Sequence, residues 1–301
     1  MTSRKLEDLI SKYNHIQACS FDAGGGNVLA SLSKDLDIVS SFIVDGPALN
    51  IYSTLFPDLH IFNRKTLDVE TDLLISSTGW QSSLEYKTME MALSKGIPVI
   101  AVLDHWVNYL GRFEREGKVI NPTYFLAFDD ASENKINQEF ASPEILRTEN
   151  RYLARTLSEI RDLRTISNLH TYDFTFIGEP LSRSSEYPKW SEYNAMDHFF
   201  EVLRIYGYVN SRIAIKPHPA EDSKKYDLYI PNDFNNVEII YGENLSKILA
   251  ETDSVVGCHS MALYIAELSG NNVYTALPEG ILPRVPLNRA QPITKLSPKA
   301  K

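Results

Sequence analysis

Short apolar runs alternate with helix-length amphipathic stretches along nearly all of this 301-residue chain, and that alternation restricts the fold more than any other feature. A strand buried on both faces reads as a continuous apolar run. A chain that returns through a helix after each such run builds a parallel sheet covered by helices. In the first half, Ile16–Asp22, Asp37–Val44, Leu59–Phe62, Asp72–Ser76, Pro98–Leu103 and Tyr124–Asp129 predict strands. One helical pattern between them, Ser82–Ser94, opens with Ser82 and Glu85 in capping-box spacing. Leu153, Leu157, Ile160 and Leu163 then recur at helical spacing. A second strand set follows at Phe174–Ile177, Arg212–Ile215, Val237–Ile240, Ser254–Val256 and Val273–Ala276. Between these, Met196, Phe199, Phe200, Leu203 and Tyr206 form one helical stripe, and Asn244–Glu251 and Met261–Ser269 read as helices. The expectation is an α/β chain of two doubly wound, Rossmann-like domains: residues 1–147, a connecting helix over 148–168, and residues 169–301. Ligands of such sheets bind beyond the carboxyl ends of the strands, and two sheets facing each other make a cleft.

Composition removes several classes. Hydrophobic residues are 43 % and charged residues 23 %, so disordered and fibrous classes are out. The run Ile97–Leu103 is far shorter than the roughly 18–20 residues a membrane span needs, and Met1–Tyr13 has no apolar stretch of a secretory signal. Cys19 and Cys258 make neither a disulfide framework nor a zinc spacing. A reducing, cytoplasmic compartment is expected. The formal charge of −9 with scattered basic residues argues against a nucleic-acid surface, though not against a local cationic pocket.

The unusual residues collect at predicted strand ends. Asp22-Ala-Gly-Gly-Gly-Asn27 follows the first strand, and Gly24, Gly25 and Gly26 would let backbone N–H groups approach an anion at a helix start. A tight strand-to-helix turn without ligand accounts for the same residues. Ile213-Ala-Ile-Lys-Pro-His-Pro219 ends a strand in a turn whose prolines fix the backbone around His218. That histidine could donate to a phosphate, with the charge of Lys216 nearby. In Ser254-Val-Val-Gly-Cys-His-Ser-Met-Ala-Leu263 a buried strand runs into Gly257, and Ser260 stands where the next helix begins. Ser260 is explained by helix capping alone, and equally by a hydroxyl and helix amides offered to a phosphate. His259 beside it fits either. Phe128-Asp-Asp-Ala-Ser132 pairs Asp129 and Asp130 at a strand end, where carboxylates can raise one another's pKa as a base requires; an N-cap and first-turn acid is the plainer reading. Asp104 and His105 follow an apolar strand, and Trp80, Trp106 and Tyr109 are candidates for stacking on a sugar ring or for the core. Glu85 reads as a cap.

A strand ending Lys-Pro-His-Pro, followed about 40 residues later by a strand, a Gly and a Ser-started helix, resembles the donor half of GT-B-type glycosyltransferases. More narrowly it is similar to bacterial sialyltransferases and polysialyltransferases. His218-Pro219 matches their His-Pro motif and Ser260 their Ser motif, and the likeness covers roughly residues 170–285. The opening Phe176-Ile-Gly-Glu-Pro-Leu181, with Gly178 and Glu179, and the exit Val273–Pro278 read like the same kind of domain.

The resemblance implies a GT-B-like, metal-independent, inverting glycosyltransferase with no cofactor. A nucleotide-activated sugar, CMP-linked by the resemblance, would be its donor, and a glycan its acceptor. Gly24–Gly26, Lys216, His218, Pro219, Gly257, His259, Ser260, Gly178 and Glu179 would hold the donor; Trp80, His105, Trp106 and Tyr109 the acceptor. Asp129 or Asp130, else Asp22 or Asp104, would be the base, although alanine stands where that family's acidic pair is followed by glycine. Peripheral association with glycan-assembly machinery is compatible with this. The alternatives are a CDP-alcohol phosphotransferase of teichoic-acid type, a catalytically silent GT-B-like subunit, and an S-adenosylmethionine methyltransferase with Asp45 on the ribose. Nucleotide-sugar epimerases share the two-domain plan but usually run longer.

Overall fold

The structure is a computed structural model, described here over residues 4–299 apart from 38, 80–81, 167–170, 184–189, 219–220, 222–223, 228 and 243. The chain divides into two compact units, Met1–Ala154 and Arg155–Lys301.

In unit 1 the elements run β1 (Arg4–Lys5), α1 (Leu6–Ile10), β2 (Ile16–Ser20), α2 (Ala23–Leu36), β3 (Val39–Val44), α3 (Ala48–Leu55), α4 (Leu59–Phe62), β4 (Leu73–Ser77), α5 (Leu84–Ser94) and β5 (Val99–Val102). They continue with α6 (Tyr109–Arg112), a small hairpin of β6 (Glu114–Arg115) and β7 (Lys118–Val119), β8 (Tyr124–Ala127), α7 (Asp130–Glu139), β9 (Ile145–Arg147) and α8 (Arg151–Ile166), which crosses the unit boundary. The seven-stranded sheet has the order β1-β9-β8-β5-β4-β2-β3, and every pair in it is parallel. Alternate residues of the central strands enter opposite cores. Ala18, Ile75, Ile100 and Leu126 pack with α1–α3, whereas Cys19, Leu74, Ala101 and Phe125 pack with α5 and α7. The sheet is therefore covered on both faces, which is why its strands read as mostly apolar runs rather than alternating ones.

In unit 2 the elements are β10 (Tyr172–Ile177), α9 (Glu192–Ile205), β11 (Ile213–Lys216), β12 (Val237–Ile239), α10 (Leu245–Ala250), β13 (Thr252–Gly257), α11 (Met261–Ser269), β14 (Asn272–Thr275) and β15 (Gln291–Pro292). The parallel sheet has the order β12-β11-β10-β13-β14-β15. Taken from β10 as first strand this is 3-2-1-4-5-6, the order of dinucleotide-binding sheets. The stripe Met196, Phe199, Phe200 and Leu203 of α9 is wholly buried against Phe174, Phe176 and Ile215. A capping box between Ser191 and Asn194 starts that helix.

One predicted strand is a helix. Leu59–Phe62 forms the single turn α4, with Leu59 buried and Ile61 and Phe62 exposed. A strand in a doubly covered sheet needs both faces apolar, so a run that buries one residue in four gains nothing by pairing. Only Asn63 beyond it makes a parallel bridge, to Phe42. The two-residue strands β1, β6, β7 and β15, and the three-residue β9, are too short to show a period.

Candidate functional site

Each sheet has a place where the chain leaves neighbouring strands toward opposite sides, and ligands of such folds bind there, beyond the strand ends. In unit 1 that point lies between β2 and β4. β2 passes through Phe21 and Asp22 into α2, and β4 passes through Thr78 and Gly79 toward α5.

Glu85, on the first turn of α5, is completely buried at this point. Its Oε1 accepts from the Phe21 amide at 3.1 Å and from Ser77 Oγ at 2.6 Å, and its Oε2 accepts from the Gly79 amide at 3.0 Å. The expected capping box is absent. Ser83 is the N-cap without a side-chain bond, and Ser82 Oγ accepts from the Leu84 amide instead. Glu85 turns away from its own helix because those donors belong to the ends of β2 and β4, and satisfying buried backbone groups outweighs a surface cap. Asp22 lies alongside. A Cβ placed on Gly79 would stand 2.1 Å from Asp22 Oδ2 and 2.5 Å from Glu85 Oε2. Burial pushes the Glu85 carboxyl up to about 7, with the charges of Asp22 and Asp104 acting the same way against the bonds from Ser77 and Phe21. Asp22 itself is half-buried, so the pair has one solvent-reachable member backed by one that retains a proton near neutrality.

Asp104 differs in kind. Burial alone would raise its pKa, but Arg112, whose Nη1 donates to Asp104 Oδ1 at 2.6 Å, holds the carboxyl below the usual range. Arg112 is itself buried and fixed by Thr78 O and Oγ1 at 3.1 and 3.0 Å. The Arg112 ion pair favours the ionised form of Asp104 and makes it a weaker base than Glu85.

The triple glycine is not an open loop. Gly24, Gly25 and Gly26 lie in the first turns of α2, whose N-cap Asp22 makes no side-chain cap bond. A Cβ would stand 2.5 Å from Asp104 Oδ2 at Gly24, 2.6 Å from Ser77 Cβ at Gly25 and 2.9 Å from Ala48 Cβ at Gly26. These glycines let the helix start press against the ends of β4 and β5 and against α3. With three carboxylates around it and Arg112 spent on one, this helix start is a poor phosphate cradle, contrary to the expectation for Gly24–Gly26. Gly25→Ala is expected to destabilise the protein by roughly 1–3 kcal/mol, because Ser77 Cβ cannot rotate away. An unchanged denaturant midpoint would show that the start of α2 can shift.

The acidic pair 129–130 has other partners. Asp129 is the N-cap of α7, its Oδ1 accepting from the Ser132 amide at 2.6 Å within a capping box, and it also accepts from Trp106 Nε1 at 3.1 Å. Asp130 points outward, 94 % exposed, and pairs with Arg147 at 3.1 Å. Turned apart in this way, the two carboxylates do not form the coupled pair expected of a base. His105 and Trp106 are half-buried, and His105 Nδ1 accepts from the Trp106 amide at 3.0 Å. Tyr109 has no exposed surface and packs with Phe113 and Phe125, so it belongs to the core and cannot stack on a sugar. Trp80 lies outside the described residues.

In unit 2 the switch point lies between β10 and β13. Glu179, two residues beyond β10, accepts from three successive amides at the start of α11: Cys258 at 3.0 Å, His259 at 2.8 Å and Ser260 at 3.0 Å. The chain's own carboxylate therefore sits on the amides that Ser260 was expected to help offer to a phosphate. Burial pushes Glu179 up to about 7 despite those bonds. Ser260 Oγ caps the helix at Ala262, and buried His259 accepts at Nδ1 from the Arg284 amide at 3.2 Å. Gly257 packs closely, a Cβ there standing 3.3 Å from Ile177 O.

The Lys-Pro-His turn follows β11, which neighbours β10. The Lys216 carbonyl accepts from the Gly178 amide at 2.8 Å, and the His218 amide donates to Glu221 Oε2 at 2.9 Å. Glu221 also receives Tyr226 Oη at 2.9 Å and Lys225 Nζ at 2.6 Å, and Lys225 bonds Glu192 as well. The Glu221 and Glu192 side chains are 1 % and 2 % exposed. Gly178 fits beneath them, a Cβ there meeting Tyr226 Oη at 2.9 Å and Glu221 Oε2 at 3.0 Å. His218 and Lys216 are half-buried at the edge of this charged buttress. Pro219 lies outside the described residues. Among the described residues no three His, Cys, Asp or Glu side chains converge as metal ligands would, and no helix is long and apolar enough to cross a membrane.

No family model matches the chain, and no curated protein matches it in sequence. Solved structures do match in three dimensions. UDP-GlcNAc 2-epimerase from Neisseria meningitidis, bound to UDP-GlcNAc, aligns with a TM-score of 0.61 at 12 % identity over 87 % of this chain and 82 % of its own. The Methanocaldococcus jannaschii UDP-GlcNAc 2-epimerase, in complex with UDP-GlcNAc and UDP, aligns at 0.61 and 14 % identity over 92 % and 88 %. HepE from Anabaena, in complex with UDP and glucose, aligns at 0.56 and 13 % identity over 87 % and 80 %. The fold is GT-B-like. At such identities the likeness speaks for architecture, and none of these matches is a sialyltransferase. The GT-B-like frame was legible in the sequence; the narrower likeness to sialyltransferases draws no support from these matches.

Sequence reading missed Glu85 as a site residue, and Arg112 altogether. Glu85 bonds Phe21, which lies 64 positions away, so no local spacing reveals it. Glu221, three residues past His218, fits the functional reading of that turn already in the sequence, and in the structure it accepts from the His218 amide.

Proposed function

We propose that this chain is an enzyme acting on a nucleotide-activated sugar and that it transfers the sugar to a glycan hydroxyl. The observation that carries this reading is the His218 turn, held rigid by Glu221 beside the switch point of a sheet with dinucleotide-binding strand order. In this reading unit 2 takes the nucleotide, with His218 and Lys216 stabilising charge on the leaving phosphate. Unit 1 supplies the proton acceptor. Asp22 receives the proton of the acceptor hydroxyl, and Glu85 behind it, raised to about 7 chiefly by burial, stands close enough to share it. This places the base on Asp22, one of the four carboxylates first considered, and assigns Asp129 and Asp130 to α7. Support for a nucleotide-sugar ligand also comes from the structural neighbours, which hold UDP-GlcNAc, UDP, or UDP with glucose.

Thermal unfolding against CMP, CDP, UMP, UDP, GDP and S-adenosylhomocysteine tests the reading. A nucleotide at 100 times its Kd stabilises by about 2.7 kcal/mol, readily seen as a rise in melting temperature. A rise with a cytidine or uridine nucleotide that vanishes in His218→Ala is expected. CMP or CDP would carry the donor implied by the sequence resemblance, and UMP or UDP the donor type of the structural neighbours. A rise with S-adenosylhomocysteine alone, or with none of the six, would overturn the reading.

A second reading, epimerisation at C2 of the donor sugar, is favoured by the neighbours that are UDP-GlcNAc 2-epimerases and by a carboxylate pair able to move a proton. Proton NMR of UDP-GlcNAc incubated with the protein in deuterated water separates the two. Deuterium at C2 indicates epimerisation, whereas nucleotide release only when a glycan is added indicates transfer.

A further inference from the structure

Unit 1 also contains a cavity of about 360 Å³ that no step above uses. It opens beyond the ends of β2 and β3, between the start of α5 and the segment 65–67. We propose that this cavity binds an anionic sugar residue, carboxylated or phosphorylated, of the acceptor glycan; the assignment of that ligand as acceptor rests on the transferase reading.

The lining has the mixed character that sugars select. Lys65 and Lys87 both line the cavity, and neither forms an ion pair with a described residue. A protein of net charge −9 places two cations on one small cavity against a single carboxylate, Asp45. An anion is therefore attracted here, in contrast to the acidic start of α2. Hydroxyls of Ser82 and Ser83 line the same space and can exchange hydrogen bonds with ring hydroxyls, as Asp45 can by accepting them. The Phe21 ring and the Met91 side chain provide an apolar wall for the C–H face of a pyranose. Phe21 is held in place by Gly46, where a Cβ would stand 2.6 Å from its ring. The volume lies at the lower end of the range for small-ligand sites, suited to one or two sugar units.

Position supports the acceptor assignment. Phe21 and Leu84, which both line the cavity, are the chain neighbours of Asp22 and Glu85. A sugar seated here is bounded by the segments that carry the carboxylate pair.

The test uses the full chain and three probes: glucuronate, glucose 6-phosphate and glucose, titrated by saturation-transfer NMR. Binding of at least one acidic probe is expected, at least tenfold weaker in Lys65→Ala/Lys87→Ala, with glucose binding tenfold weaker or not at all in either protein. Glucuronate alone would identify a carboxylated residue, and glucose 6-phosphate alone a phosphorylated one. Glucose binding as well as the acids, equal binding by the variant, or no binding of any probe at 50 times the protein concentration and upward to about 50 mM would overturn the proposal. The nucleotide-induced rise in melting temperature is measured on the same variant. If it persists while the sugar result fails, the cavity assignment falls alone; if it is absent in wild-type protein too, the transferase reading falls with it.

Discussion

Lys225→Met is expected to lower the stability of unit 2 by about 3–5 kcal/mol, the scale of breaking a buried ion pair from one side. Lys225 Nζ is the cation that bonds both Glu192 and Glu221, whose side chains are 2 % and 1 % exposed. Methionine fills much of the same volume, so the loss is electrostatic rather than a cavity. Burial would lower the Lys225 pKa, but its bonds to Glu192 and Glu221 raise it overall. Burial acts to raise Glu192, yet the bond from Lys225 is the leading reason that carboxyl lies below its ordinary value. A carboxyl depressed in the folded state contributes stability above its unfolded pKa of 4.5, lost as pH falls through the folded value. In the variant that contribution disappears, so the deficit against wild type should be full near pH 7 and shrink below about pH 4.5, as Glu192 protonates. Denaturant unfolding at pH 7 and pH 4 measures both arms. A deficit under 1 kcal/mol at pH 7 would mean that water replaces the ammonium. Because Glu221 also holds the His218 amide, the variant should bind the cognate nucleotide less tightly even at temperatures where it is folded.

Glu85→Gln should uncouple unit 1 from pH. The Glu85 carboxyl is raised in the folded protein from 4.5 to about 7 by burial first. A raised acid holds its proton more tightly when folded, so its contribution is complete below pH 4.5, declines as pH rises, and is gone above about pH 7. The shift corresponds to a loss on the order of 3 kcal/mol across that window. Glutamine cannot ionise, so the variant should gain on wild type by that amount between pH 4.5 and 7.5, whatever its offset at acid pH. Parallel stability curves for the two proteins would show that Glu85 is not the titrating group. Under the proposed function the same substitution removes the group that shares the proton with Asp22. Turnover should fall, by less than the roughly 10²–10⁴-fold expected from removing the proton acceptor Asp22 itself. Glu179 has the same sign of shift in unit 2, so wild-type stability should decline toward neutrality in both units.

Most of the fold could be read from the chain. Every predicted strand except Leu59–Phe62 forms, because a parallel strand buried on both faces is mostly apolar along its length, and that bias is local. Met261–Ser269 forms over the range read from the sequence, opened by the Ser260 cap and closed in the structure by left-handed Gly270, since both act on their own neighbours. Glu179, singled out in the sequence, stands at the switch point of unit 2, and His218 follows the neighbouring strand β11.

The assignment of charges to partners was not legible. Asp129 and Asp130 look like a coupled pair in sequence, but an N-cap turns one toward Ser132 and Trp106 and leaves the other to Arg147. Glu85 looks like a cap and is instead the knot between two strands. The glycines of α2 look like a phosphate loop and serve close packing against Ser77 and Ala48. In each case the deciding partner lies on a different strand or helix. A carboxylate's state is set by the desolvation and the donors that surround it in space, and spacing along the chain carries no record of either. The sequence alone determined where the longer strands of both sheets run, to within a residue or two at their ends. Only the tertiary structure decided which carboxylates are buried, which are paired, and which are left to hold a proton.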